Sequence, residues 1–144
     1  MNDQAVKHKI LAFLKEHTLC VISTIHADGH GPESAVVAFV ETDNLEIVFG
    51  TSNISRKYKN IQADNRVALV IGWSSETGTI QYEGQASELS KEESEKYALL
   101  QIAKNPSSAS FKDREDQRYF IVKPSWIRFM DFGSKPPQTY ELNF

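Results

Sequence analysis

Short apolar stretches, each ended by a turn signal, constrain this chain more than any other feature. The longest purely apolar runs are the six residues Ala35–Val40 and the five residues Val67–Ile71. Neither approaches the ~20 apolar residues of a membrane-spanning helix. Both suit strands bounded by Gly, Asp, Asn and Ser. Strands are predicted over Leu19–His26, Glu33–Glu41, Leu45–Thr51, Asn65–Trp73, Thr79–Leu89, Tyr119–Lys123 and Trp126–Phe132. The first two are joined by Ala27-Asp28-Gly29-His30-Gly31, with Asp-Gly as the strongest turn signal, and Thr42-Asp43-Asn44 turns the chain again. These first three strands read as a meander. The unbroken apolar run of the second predicts burial on both faces.

Helices interrupt the strands. Val6, Ile10, Phe13 and Leu14 share one face of a predicted helix over Asp3–His17. Ser52–Asp64 holds a short helix capped by Ser52, Asn53 or Ser55. Ser90 and Glu93 form a capping box ahead of a helix that carries Tyr97, Leu100 and Ile102 and stops before Asn105-Pro106. Ser107–Asp116 reads as a polar loop and Gly133–Phe144 as an irregular tail. Pro124 is expected to hinge the last two strands, and Gly84 to mark a bulge or a close backbone approach. The fold expected is mainly β: a small closed or half-open barrel of six or seven mostly antiparallel strands with peripheral helices, one domain over 1–144. A chain of 144 residues has little room for a scaffold and a deep cavity together. A larger ligand belongs in a surface cleft or between subunits.

Sixteen basic and 19 acidic residues give a net charge of −3. That argues against a nucleic-acid surface. A lone cysteine, Cys20, allows no internal disulfide, and the polar start Met-Asn-Asp-Gln carries no signal stretch, so a reducing cytoplasm is expected. Against this acidic background Arg56-Lys57-Tyr58-Lys59 stands out. It opens a helix directly after a strand, where the first amides lack internal partners and the helix dipole is positive. Cations there are mildly unfavourable unless an anion joins them. With the hydroxyls of Thr51, Ser52 and Ser55, they point to a phosphate site. His26 and His30 sit in a turn without a cluster of acidic or Cys ligands, so no metal site is expected from them. Cys20 reads as a buried small hydrophobe, and no catalytic residue is identified.

The stretch Phe49-Gly50-Thr51-Ser52-Asn53-Ile54-Ser55-Arg56-Lys57 resembles the phosphate-binding segment of the pyridoxamine 5′-phosphate oxidase-like family of FMN-binding split barrels. Asp64-Asn65-Arg66-Val67-Ala68-Leu69 and Thr79-Ile80-Gln81-Tyr82-Glu83-Gly84-Gln85-Ala86 resemble its following strands. The resemblance implies a homodimer with FMN at the interface, a small-molecule substrate and flavin-dependent oxidoreduction. It implies that Arg56 and Lys57 hold the phosphate with Ser55 and Thr51, and that Val36, Val37, Phe49 and Gly50 lie at the ring. Gln81, or Thr79, from the partner subunit and Trp126 would be further ring neighbours. A non-catalytic binding protein, or deazaflavin or haem in place of FMN, stays open, with His26 or His30 as an axial ligand in the haem case. The chain departs from the vitamin-processing oxidases at Ala35, where they carry a further phosphate-binding arginine, and in its tail, which has no Arg or Trp.

Overall fold

The computed structural model describes residues 1–144. Helix α1 spans Asp3–Lys15, capped by Asn2, whose side chain accepts from the Ala5 amide at 2.9 Å. Strands β1 (Leu19–Ile25), β2 (Pro32–Ala38), β3 (Val40–Glu41) and β4 (Ile47–Ser52) follow, then α2 (Arg56–Ala63), β5 (Arg66–Ser74) and β6 (Gly78–Glu88). Helix α3 (Lys91–Lys104) and a 3-10 turn over Pro106–Phe111 lead into β7 (Gln117–Asp131) and β8 (Gln138–Asn143). One antiparallel sheet runs β2-β1-β5-β6-β7-β4-β3, and β8 adds to the far half of β7.

The two ends of that path, β2 and β3, are consecutive in the chain, with only Phe39 between them. The sheet therefore curls until its edges meet at one residue. Phe39 is fully buried. Its amide donates to Thr18 O at 3.1 Å and its carbonyl accepts from Asn105 Nδ2 at 3.0 Å. The Lys104 ammonium stands 4.0 Å from the centre of its ring and pairs with Glu41, both side chains being nearly buried. Inside the curl pack Ile22, Leu69, Ile71, Ile80, Phe49, Phe120 and Phe129, and α1 closes one end with Ile10, Phe13 and Leu14. Tyr82, buried among them, donates to the carbonyls of Leu45 (2.8 Å) and Val122 (3.1 Å).

Several expectations change. The first three strands are not a meander: β1 and β2 form a hairpin, but the chain crosses the seam at Phe39 and β4 pairs with β7. The second strand is not buried on both faces, because β2 is an edge and Val36 is 60% exposed. Two-sided burial occurs instead at β4 and the first half of β7. Phe49 and Phe120 face the barrel interior, while Val48, Tyr119 and Ile121 pack outward with Ala98 of α3. Helix α3 buries Ala98 and Gln101 and leaves Leu100 exposed. The last two predicted strands are one continuous strand. Its pairing with β6 skips Ser125, so Pro124 sits at a bulge, a position that tolerates proline. Gly84 lies opposite, and a Cβ there would strike the Lys123 carbonyl. The tail forms β8 because residues 138–143 find the free edge of β7, a partner with no local sequence signal.

Phe39→Ala is expected to cost about 3–5 kcal/mol, as a buried aromatic is lost and a cavity left. Phe39→Leu should cost distinctly less. Urea unfolding checks both, with the midpoint falling in that order.

Candidate functional site

The seam sets the site. By joining β2 to β3 through one residue it brings Val36, Val37 and Ala38 beside Gly50, Thr51 and Ser52 of β4, and a cleft of about 300 Å³ opens along them. Its far wall comes from Gln101 of α3, Ser107, Ser108 and Phe111 of the 3-10 turn, and Arg114, Gln117 and Tyr119. Gly50 lets neighbouring side chains approach its backbone closely. It pairs with Tyr119, and a Cβ on it would run into the Gln117 amide and the Tyr119 ring.

At one end of the cleft stands the start of α2. Ser55 caps it, its Oγ accepting from the Tyr58 amide at 3.2 Å. Thr51 Oγ1 and Ser55 Oγ are 2.9 Å apart, and Lys57 Nζ donates to Thr51 Oγ1 at 3.1 Å. That is the only polar partner of Lys57, which is half-buried, and burial lowers its pKa. One ammonium and two hydroxyls thus converge at a helix N-terminus with no carboxylate on the cation. Such a set is complementary to an anion with several acceptor oxygens.

Arg56 has a different setting. It is largely exposed, and its Nη2 lies 2.9 Å from Glu33 Oε2. With Lys57 it lines a second hollow of about 270 Å³ around Ala35, Ser34, Thr24 and Asn60. Asn60 Nδ2 donates to Glu33 and to Thr24 Oγ1, each at 3.0 Å, and its carbonyl accepts from the Ala27 amide. Asn60's hydrogen bond, together with the nearby Arg56 and His26, holds the Glu33 carboxyl below its usual range. The side chain of this buried Asn therefore ties α2 to β1, β2 and their turn.

Of the site residues read from the sequence, Val36, Val37, Gly50, Thr51 and Lys57 line the cleft, Ser55 stands behind Thr51, and Arg56 lies around the corner with Glu33. Phe49 is fully buried, stacked on Phe120 with ring centres 5.6 Å apart, and supports the strand from the barrel side. Gln81 and Trp126 do not reach the cleft of their own chain. They stand on the outward face of the sheet, where Val36, Val21, Val70, Gln81 and Arg128 form one row across β2, β1, β5, β6 and β7. His26 is engaged by Asp28, at 2.6 Å, and by Glu33. No group of three or more His, Cys, Asp or Glu side chains converges in a geometry that holds a metal ion. Burial pushes the Cys20 thiol up to about 12, which suits a core residue and not a nucleophile.

Gln101, Ser107, Ser108, Phe111, Arg114, Gln117 and Tyr119 are the wall that sequence reasoning did not find. The first hint was available in Gln101, a polar residue on a helix face that turns out to be buried. The others lie in a polar loop or at the strand start and carry no motif. A larger hollow, about 570 Å³, lies beyond Tyr119 between α3 and residues 112–119. It is lined by four carboxylates and four cations, so it has no net preference for an anion.

The profile of the family described as "Pyridoxamine 5′-phosphate oxidase" matches residues 6–131. The pyridoxine/pyridoxamine 5′-phosphate oxidase of Cupriavidus necator is 30% identical over 139 residues, which is 94% of this chain and 63% of that protein. That of Haemophilus influenzae is 33% identical over 95 residues, 66% of this chain and 45% of that protein. The chain thus spans roughly half to under two thirds of the curated relatives it matches. Among solved structures, a heme binding protein from Mycobacterium smegmatis superposes with a TM-score of 0.80 at 13% identity, over 99% of this chain and 59% of that one. General Stress Protein 26 from Bacillus anthracis does so at 0.73 and 20% identity, over 95% and 98%. At these identities the structural likeness speaks for the fold alone. With a curled split-barrel sheet and a profile match over most of its length, this chain belongs to the pyridoxamine 5′-phosphate oxidase-like family.

Proposed function

We propose that this protein binds FMN through its phosphate at Lys57, Thr51 and Ser55 and works as a flavin-dependent oxidoreductase on a small molecule. The observation that carries this reading is the half-buried, carboxylate-free Lys57 in front of a capped helix N-terminus. A cation kept out of water without a counter-ion costs free energy, and a bound phosphate removes that cost. The cleft is open beside Val36–Ala38, so backbone groups of the edge strand are available to a flat polar ring. When bound, a flavin supplies hydride transfer at its ring, and the protein supplies position and electrostatics. Gly50 keeps the floor low, Gln117 and Tyr119 give a polar side wall, and Lys57 anchors the charged end.

A single-chain cleft of about 300 Å³ is at the small end of ligand sites, which run ~300–1,000 Å³. The proposal therefore includes a second copy. Gln81 and Trp126, which face outward, would complete the site from the partner of a homodimer. Ala35, without the side chain of a phosphate-binding arginine, supports a substrate other than the vitamin phosphate. Haem is the second reading, favoured by the heme-binding structural relative. Against it, the cleft lining holds no His, Cys or Met, and Tyr119 is its one residue of an axial-ligand type. Deazaflavin shares the ring-and-phosphate chemistry and is separated from FMN by its spectrum.

Added FMN is expected to lose fluorescence on binding and to stay with the protein through gel filtration, at a mass near twice 16.3 kDa. A haem Soret band in the purified protein with no flavin uptake would overturn the reading. Lys57→Ala should weaken FMN roughly 10–100-fold and riboflavin little, the range expected for a lost charge-assisted bond. Arg56→Ala should cost less at neutral pH, since Glu33 already holds that guanidinium. Equal losses for FMN and riboflavin with Lys57→Ala would contradict the phosphate assignment.

A further inference from the structure

Arg56 and Lys57 are neighbours in sequence and both line the hollow around Ala35, yet only Arg56 is paired with a carboxylate. Glu33, its partner, is itself part of a longer arrangement. One oxygen of Glu33 lies 2.9 Å from Arg56 Nη2, and the other accepts from Asn60 Nδ2 and lies 3.4 Å from His26 Nε2. His26 Nδ1 is 2.6 Å from one oxygen of Asp28, and the other oxygen of Asp28 is 3.2 Å from His30 Nδ1. Basic and acidic groups thus alternate from the β1–β2 turn to the first turn of α2, in the order His30, Asp28, His26, Glu33, Arg56. Lys57 is the remaining charged group facing the hollow.

We infer that Glu33 is a built-in competitor for Arg56 at the anion site, and that the charge on His26 sets how strongly it competes. This rests on the reading that a phosphate-bearing ligand binds at Lys57. With His26 neutral, Glu33 keeps Arg56 to itself, and Lys57 holds the phosphate with Thr51 and Ser55. With His26 protonated, Glu33 gains a second cation, its hold on Arg56 weakens, and the guanidinium becomes available to the phosphate. Phosphate binding and proton uptake by His26 then favour each other, as linkage requires.

The sign follows from the groups present. Histidine changes charge between pH 5 and 8. Over that range Glu33 stays ionised, since the Asn60 hydrogen bond and its cationic neighbours hold its carboxyl low. Asp28 faces the other side of His26, and His30 shares Asp28. Affinity for a phosphate-bearing ligand therefore rises as pH falls from 8 to 6.5. The ligand's own titration works the other way, because a phosphate monoester begins to lose its second charge near pH 6.

The test is FMN and riboflavin binding by fluorescence quenching to the wild type, Glu33→Gln and His26→Gln at pH 6.5 and 8. Glu33→Gln should bind FMN about tenfold tighter than wild type at pH 8, with riboflavin unchanged, since a freed arginine adds a charge-assisted bond. Wild type should approach Glu33→Gln at pH 6.5, and His26→Gln should remove that rise. A Glu33→Gln protein that binds FMN no more tightly than wild type overturns the inference, as does a rise that survives His26→Gln. FMN and riboflavin binding with equal affinity to wild type removes the phosphate reading itself, and this inference with it. Because the decisive result is a gain, a misfolded variant does not imitate it.

Discussion

The crossing at Phe39 is the constraint on which the rest of the structure depends. A sheet whose end strands are consecutive in sequence must curl until those ends meet, since one residue spans no more than ~3.6 Å. Every group around the crossing serves that closure. Asn105 ends α3 and donates to the Phe39 carbonyl, while Lys104 lies over the ring and pairs with Glu41 on the next strand. Helix α3 is thereby pinned across the seam, and its Gln101 becomes a wall of the cleft. Closure, helix position and cleft are consequences of one geometric requirement.

The same closure separates two adjacent cations. Lys57 points into the cleft beside Thr51 and is half-buried, whereas Arg56 points around α2 toward Glu33 and stays exposed. Successive residues on a helix project about 100° apart, so neighbours in sequence enter different surroundings. A desolvated lysine without a counter-ion and a solvated arginine with one have different uses. The first has a hydroxyl as its polar partner and no carboxylate, and the second is paired with Glu33.

Much of the architecture was legible because its signals are local. The helix starting at Arg56 under the Ser55 cap, the capping of α3 by Ser90, the Asp28-Gly29 turn and the strong β character of residues 66–74 all follow from neighbouring residues. Thr51 and Lys57 stood out for the same reason, as part of one short segment between a strand and a helix, whereas Gly50 was pointed to only by the family resemblance. The misreadings all concern partners distant in the chain. Whether Val36 is buried depends on β2 being an edge, whether residues 138–143 form a strand depends on β7 having a free side, and whether Pro124 breaks a strand depends on a bulge across from Gly84.

The amino-acid sequence by itself determined a mainly β chain, the positions of its turns and helix caps, and a cationic segment placed where a helix begins. Those properties come from backbone preference and periodicity over a few residues. Only the tertiary structure decided that β4 joins β7, that Gln117 and Tyr119 face Gly50, that Gln81 and Trp126 stand on the outer face, and that Arg56 is claimed by Glu33 while Lys57 is not. Each of those outcomes is a contact between segments tens of residues apart. It is set by how the curled sheet closes and which side chains that closure leaves facing one another.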